Sequence, residues 1–328
     1  MKPRRPLLSL GLDLDNLWSY MKIHGDSGWE SHPSYLDQLA PLVLEVASRH
    51  RLRMTVFIVG QDAALEKNRA ALASLAAGGH EIGNHSFRHE PWFHLYTRTE
   101  IEEEIRTAEE AIERATGKRP IGFRGPGFSL SPDTLRVLAA RGYLYDCSTL
   151  PTFLGPLARA YYFWQSRGMS AAEREKRSKL YGSLSQGFQS LHPYLWSVDG
   201  KKLVELPVTT MPGLRVPFHL SYLLFLLRFS RPLAWSYFRT SLALCRMTGI
   251  TPSYLLHPLD FLGGDRVKEL SFFPGMDLPT AAKIDFMHEV LEGIQSSFEV
   301  VTLEEHARAV EATALRGFRR VHEGLALG

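Results

Sequence analysis

Leu7-Leu8-Ser9-Leu10-Gly11-Leu12-Asp13-Leu14-Asp15 is an apolar run that ends in two carboxylates. In an extended strand, residues two apart share a face, so this spacing puts Asp13 and Asp15 on one side and Leu14 on the other. Reading outward from it, strand-like runs recur at 54–59, 81–83, 121–124, 143–145, 203–208, 253–257 and 298–301. Amphipathic patterns predict helices over 34–50, 62–77, 98–116, 131–140, 281–297 and 303–314. Thr99 stands three residues before Glu102 as a capping box, Ser131-Pro132 starts a helix, and Gly117 and Gly142 end theirs. Strand then helix, repeated, argues for a parallel sheet with helices outside it.

The polar residues choose between a closed and an open sheet. Asp13, Asp15, His85, Arg124, Asp146 and His257 each fall at or just after the end of a different strand-like unit or its neighbour. A (β/α) barrel gathers its site in that way, whereas an open sheet concentrates it near one switch point. The expectation is a distorted (β/α) barrel of seven or eight parallel strands, one domain over 1–328. Two stretches interrupt the repeat, at about 152–200 and 212–250, and are expected to form a cap or membrane-facing region. The first is aromatic and mixed in charge, with a charged helix around 171–180. The second lies in a segment, 206–259, that contains no Asp or Glu but carries Arg215, Arg228, Arg231, Arg239 and Arg246 among aromatic and aliphatic residues.

At 328 residues and 45% hydrophobic, the chain can bury a large core. A net charge of +3 with scattered Lys and Arg argues against nucleic acid as a partner. Cys147 and Cys245 are too few for a disulfide framework or a sulfur-ligated metal site. The basic start meets Asp13 after a short apolar stretch, less than a secretory core, so a cytoplasmic protein is expected, with peripheral attachment to the inner membrane face left open. The longest uncharged apolar stretch, 216–227, is far below the about 20 residues of a membrane span.

His85 and His89 are four apart, which brings two imidazoles together on one helical turn or in a tight loop. With a carboxylate from the Asp13-x-Asp15 pair they make three protein ligands for a divalent ion, leaving positions for water and substrate. A zincin motif is excluded, because Ser86 and not Glu follows His85, and Pro91 interrupts any helix through the neighbouring His-Glu pairs.

Gly79-His80-Glu81-Ile82-Gly83-Asn84-His85-Ser86-Phe87-Arg88-His89 resembles the second motif of the NodB-homology polysaccharide deacetylases, carbohydrate esterase family 4. The spaced Asp13 and Asp15 resemble the first motif, Phe123-Arg124-Gly125-Pro126-Gly127 the third, and Leu255-Leu256-His257-Pro258 a later His-Pro motif. The resemblance implies that Asp15, His85 and His89 hold a zinc-like metal, with Co, Ni, Mn or Fe also suited to the set. It implies Asp13 as the base that activates water, Arg124 as its guanidinium partner, and His257 as the acid that protonates the leaving amine. For the carboxylate beside His257, Asp146 is the candidate and Asp260 the alternative nearer in sequence. His80 is read as a structural histidine.

The activity so implied is removal of an N-acyl group, by default acetyl, from an amino sugar. The expected cytoplasmic location points to an intracellular or lipid-linked sugar, and the acid-free arginine segment to an anionic membrane surface. The alternative for that segment is a cap whose apolar faces pack on the barrel while its arginines reach water. The alternatives for function are a deformylase or other C–N amidohydrolase, or a carbohydrate-binding homologue without turnover.

Overall fold

The computed structural model describes residues 5–154, 187–315 and 323–324 of the 328. β1 (Leu7–Asp13) lies between β2 (Thr55–Ile58) and β8 (Ser253–Leu256). Leu8, Leu10 and Leu12 are fully buried, each worth about 1.5–3 kcal/mol relative to exposure. Parallel pairing continues from β2 through β3 (Glu81–Asn84), β4 (Gly122–Phe123) and β5 (Tyr145–Asp146) to β7 (Lys201–Glu205). A single parallel bridge between Val208 and Ser253 draws the chain beyond β7 against β8, so these seven strands curl round on themselves. The distorted barrel of seven or eight parallel strands expected from the sequence is the fold observed.

Of three further strands among the described residues, one, over Glu299–Val301, is the run expected at 298–301, whereas the other two were not part of that expectation. β6 (Tyr194–Val198) runs antiparallel to β7 through a tight turn at Asp199-Gly200, both with positive φ. The end of the stretch read as a cap is therefore a sheet hairpin. β9 (Glu299–Val301) pairs with Leu7–Ser9 of β1, and β10 (Glu323–Gly324) pairs with β6. The charged helix expected around 171–180 lies outside the described residues.

Among the described residues the α-helices are α1 (Leu17–His24), α2 (Leu36–His50), α3 (Gly60–Ala63), α4 (Glu66–Ala77), α5 (Arg98–Thr116), α6 (Pro132–Ala140), α7 (Leu220–Leu227), α8 (Arg231–Thr248), α9 (Thr280–Ser297) and α10 (Leu303–Leu315). The predicted helix over 62–77 is two, α3 and α4. α5 is capped by Thr97 with Glu100, not by Thr99 with Glu102. That frame makes Ile101 the fourth helical residue and places it in one buried cluster with Tyr96, the residue before the cap, as in a hydrophobic staple.

The arginine-rich segment packs on the barrel. α8 buries Ala234, Phe238, Leu242 and Cys245 in the main core, in the same cluster as Val290 and Ile294 of α9. Arg228 bonds Asp277 at 2.8 Å, and Arg231 pairs with Glu289. Among the described residues no helix is long and apolar enough to cross a membrane.

Strand register levels the C-terminal ends. Leu12 pairs with Leu256, Asp13 with Phe57, Asn84 with Phe123, Phe123 with Asp146, and Asp146 with Glu205. The residues that follow these positions emerge on one face. Below them, Gly11 makes room for the Arg124 side chain: a Cβ there would lie 3.2 Å from Leu303 Cδ1 and 3.3 Å from Arg124 Nη1.

Candidate metal centre and active site

β1 ends at Asp13, so Asp15 sits in the turn that enters α1 and not in the strand itself. That turn is tied down from several sides. The Tyr35 hydroxyl donates to the Asp15 carbonyl at 2.5 Å, and the Asn16 side chain accepts from Leu17 N. Asn16 Nδ2 in turn donates to buried Asp62 Oδ1 at 2.6 Å, beside further donations from Trp18 Nε1 and Asn68 Nδ2. Burial pushes the Asp62 carboxyl up to about 7, against the opposing hydrogen bonds of Asn16 and Trp18.

His85 follows β3 directly, and the loop after it bends back because Ser86 and His89 both take left-handed backbone. The two imidazoles thus meet in a tight loop, with ring centroids 5.0 Å apart. Asp15 Oδ1 lies 2.9 Å from His89 Nε2 and 3.4 Å from His85 Nε2. One donor atom from each of Asp15, His85 and His89 falls within 4.8 Å of the others.

Several details fit this set to a divalent cation. His85 Nδ1 lies 2.6 Å from the Arg124 carbonyl, so Nδ1–H donates there and Nε2 keeps its lone pair for a metal. Asp15 Oδ1 is buried without a hydrogen bond of acceptable geometry among the described residues. Two imidazoles and a carboxylate are a donor set suited to zinc. Burial would raise the Asp15 carboxyl, but His89 and His85 outweigh it and hold it well below the usual carboxylate range. His85 is displaced upward: burial opposes this, and Asp13 and Asp15 overcome it.

Asp13 is engaged elsewhere. Arg124, fully buried, donates from Nη1 to Asp13 Oδ1 at 2.6 Å and from Nε to the Cys147 carbonyl at 3.2 Å, with its guanidinium over the Phe57 ring. A buried pair of this kind is costly to break from one side, because the remaining charge has no water to turn to.

His257 follows β8, level with Asp13 on the adjacent strand. The carboxylate beside it is that of Asp260, whose Oδ2 accepts from His257 N at 2.8 Å. Asp146, the candidate for this place, makes its hydrogen bonds to Ser148 and to Glu205. Its strand ends beside β7, and that neighbour sets its partner. Burial, then the charge of Asp146, drive Glu205 well above the ordinary carboxyl range, so Glu205 holds the proton between them. Glu205 also accepts from Thr149 and from Trp196 Nε1. Sequence reasoning missed Ser221, on α7, and gave Glu205 only a place in a strand. The signal for Asp260 was its spacing from His257 across Pro258. His80 is buried, with Nδ1 accepting from Met54 N, as a structural histidine should be.

Residues 26–145 match the sequence model described as polysaccharide deacetylase. Over that stretch the chain is similar to the polysaccharide deacetylases. The match contains His85, His89 and Arg124; Asp13, Asp15 and His257 lie outside it and are brought to the same face by the fold. Among relatives, the chain is 26% identical over 151 residues to a peptidoglycan deacetylase of Helicobacter pylori, covering 44% of this chain and 50% of that one. It is 33% identical over 104 residues to a chitooligosaccharide deacetylase of Sinorhizobium fredii, covering 31% and 46%. The chain thus spans about half the length of these relatives. A solved Mycobacterium smegmatis structure, provisionally assigned as a polysaccharide deacetylase, superposes with a TM-score of 0.63 at 19% identity, covering 96% of this chain and 93% of that one. That likeness concerns the fold.

Proposed function

We propose that the chain is a metal-dependent hydrolase that removes an N-acyl group, acetyl by default, from an amino sugar. The observation that carries this reading is the division of labour at the strand ends: Asp15, His85 and His89 converge within 4.8 Å, while Asp13 is held apart by Arg124. A zinc-like ion on the three ligands would supply acidification of water and polarisation of the acyl carbonyl. Asp13 takes the proton of the attacking water, and Arg124 holds that carboxylate in place. His257, across the site on β8, gives a proton to the departing nitrogen as the C–N bond breaks. Tyr35 and the Arg124 carbonyl keep Asp15 and His85 oriented throughout.

On this reading the substrate is an N-acetylated amino sugar, and the lipid-linked form is favoured by the apolar rim of the arginine-rich segment. Phe225, Phe229 and Leu233 are exposed there, with the two Phe rings 5.3 Å apart. These side chains, and not the paired Arg228 and Arg231, make the contact with lipid. Zinc-loaded protein incubated with N-acetylglucosamine oligomers and with polyprenyl-linked N-acetylglucosamine is expected to release acetate, read by mass spectrometry. Intact substrates with every divalent ion tested would sink the hydrolase reading. Turnover of the soluble oligomers alone, with no flotation on anionic liposomes, would remove the lipid.

A further inference from the structure

His257 leaves β8 into a short turn, Pro258–Asp260, and its ring meets α7, which lies outside every motif that resembles the family. Ser221 is the second residue of that helix. Its Oγ lies 3.3 Å from His257 Nδ1 and 2.8 Å from Asp260 Oδ1. A hydroxyl has one proton and two lone pairs, so a single Ser221 can accept from the ring and donate to the carboxylate. The geometry points to Ser221 as a positioning residue that relays Asp260 to His257 and fixes Nδ1 as the protonated nitrogen, turning Nε2 to the substrate.

The surroundings suit this arrangement. His219, the cap of α7 two residues before Ser221, packs against His257 with ring centroids 5.5 Å apart and against Tyr222 at 4.7 Å. Burial, then His257 and Arg124, hold it well below the usual imidazole range, so it stays neutral and sets no second positive charge beside His257. Lys283 of α9, Tyr254 of β8 and Tyr20 of α1 face Asp260. Ser221 is then the hydroxyl between ring and carboxylate. Among the described residues the competitor is the Asp260 backbone N–H, which also closes on the ring within the turn and would make Nδ1 an acceptor.

In the hydrolysis proposed above, the Nε2 proton passes to the departing nitrogen as the C–N bond breaks. The ring is left neutral with its Nδ1–H on Ser221, and the Ser221 proton does not move. The inference rests on the reading of His257 as the acid, and its test does not require turnover. In the full chain with labelled histidine, side-chain nitrogen NMR resonances of His257 are assigned by their loss in His257→Gln. The Nδ1–H tautomer is expected in the wild type and in Ser221→Thr, and a mixture with Nε2–H in Ser221→Ala. Asp260→Asn, which keeps the shape of the turn, is the second variant and is expected to move the same way. An Nε2–H ring in the wild type, or an unchanged tautomer in both variants, overturns the relay. Where N-acetylglucosamine pentamer is hydrolysed, kcat of Ser221→Ala falls roughly 10-fold at constant KM, less than the roughly 100- to 10,000-fold attached to losing an acid outright. No turnover in any form, with the tautomers as expected, refutes the hydrolase reading and leaves the relay standing.

Discussion

Asp15, His85 and His89 are oriented largely by backbone, whereas His257 is oriented by two side chains. At the first end, the Arg124 carbonyl fixes the His85 ring, left-handed Ser86 and His89 shape the loop, and Tyr35 holds the Asp15 carbonyl. At the second, Ser221 and Asp260 surround the ring, one of them from an outer helix. The contrast teaches that a donor set which must converge on a single point is built on strand ends and their immediate loops. On the proposed reading His257 only exchanges a proton, and such a group tolerates support borrowed from further away.

The widest separation between the two ends is expected from ligand loss. His89→Ala should reduce bound zinc from about one ion per chain to near none and cut hydrolysis by about 1,000-fold or more, since a metal supplies several kcal/mol at the transition state. Elemental analysis with an acetate assay checks it, and retained zinc would break the comparison. Asp13→Asn should keep the ion and lower turnover by about 100- to 10,000-fold. Asp13→Ala should in addition cost about 3–5 kcal/mol in denaturant unfolding, because Arg124 is left buried and unpaired.

Asp62 sharpens the backbone side of the contrast through pH. Its carboxyl, at about 7 in the fold and ordinary when unfolded, keeps a proton that the unfolded chain has lost between about pH 4 and 7. The stability it contributes is therefore present at the acid end and lost as pH rises through that window, by at most about 1.4 kcal/mol per unit. Melts of wild type and Asp62→Asn should draw apart on that slope; parallel curves would place Asp62 outside the brace. The smallest effect belongs to the exposed Arg228–Asp277 pair, where Arg228→Ala should change stability by less than about 1 kcal/mol in the same melts.

Much of the first end was legible. An apolar strand followed by spaced acids, and two histidines after a short strand, carry their placement in local order. The β/α alternation located the seven parallel strands for the same reason. What stayed hidden depends on tertiary choice. Two overlapping Thr-x-x-Glu frames compete at the start of α5, and the burial of Ile101 and Ile105 selects Thr97. α1 is only eight residues and begins straight after the acid turn, so periodicity has little room to declare it. β6 lies in an aromatic stretch whose burial alternates imperfectly. Glu205 and Asp146 find each other only because β5 and β7 are neighbours across a long intervening segment. Ser221 stands in an apolar helix where a lone serine has no pattern around it.

Arg124 serves both aspartates at once, through different atoms: its guanidinium grips Asp13 and its carbonyl orients the ring that accompanies Asp15. Perturbations at His85 and at Asp13 therefore converge on one residue although those side chains have separate tasks. A double-mutant cycle between the two positions should be non-additive, with an interaction energy of about 0.5–3 kcal/mol. Evolution or engineering of this barrel would then have to exchange the Asp13 and His85 geometries together, since neither can drift without the other registering it.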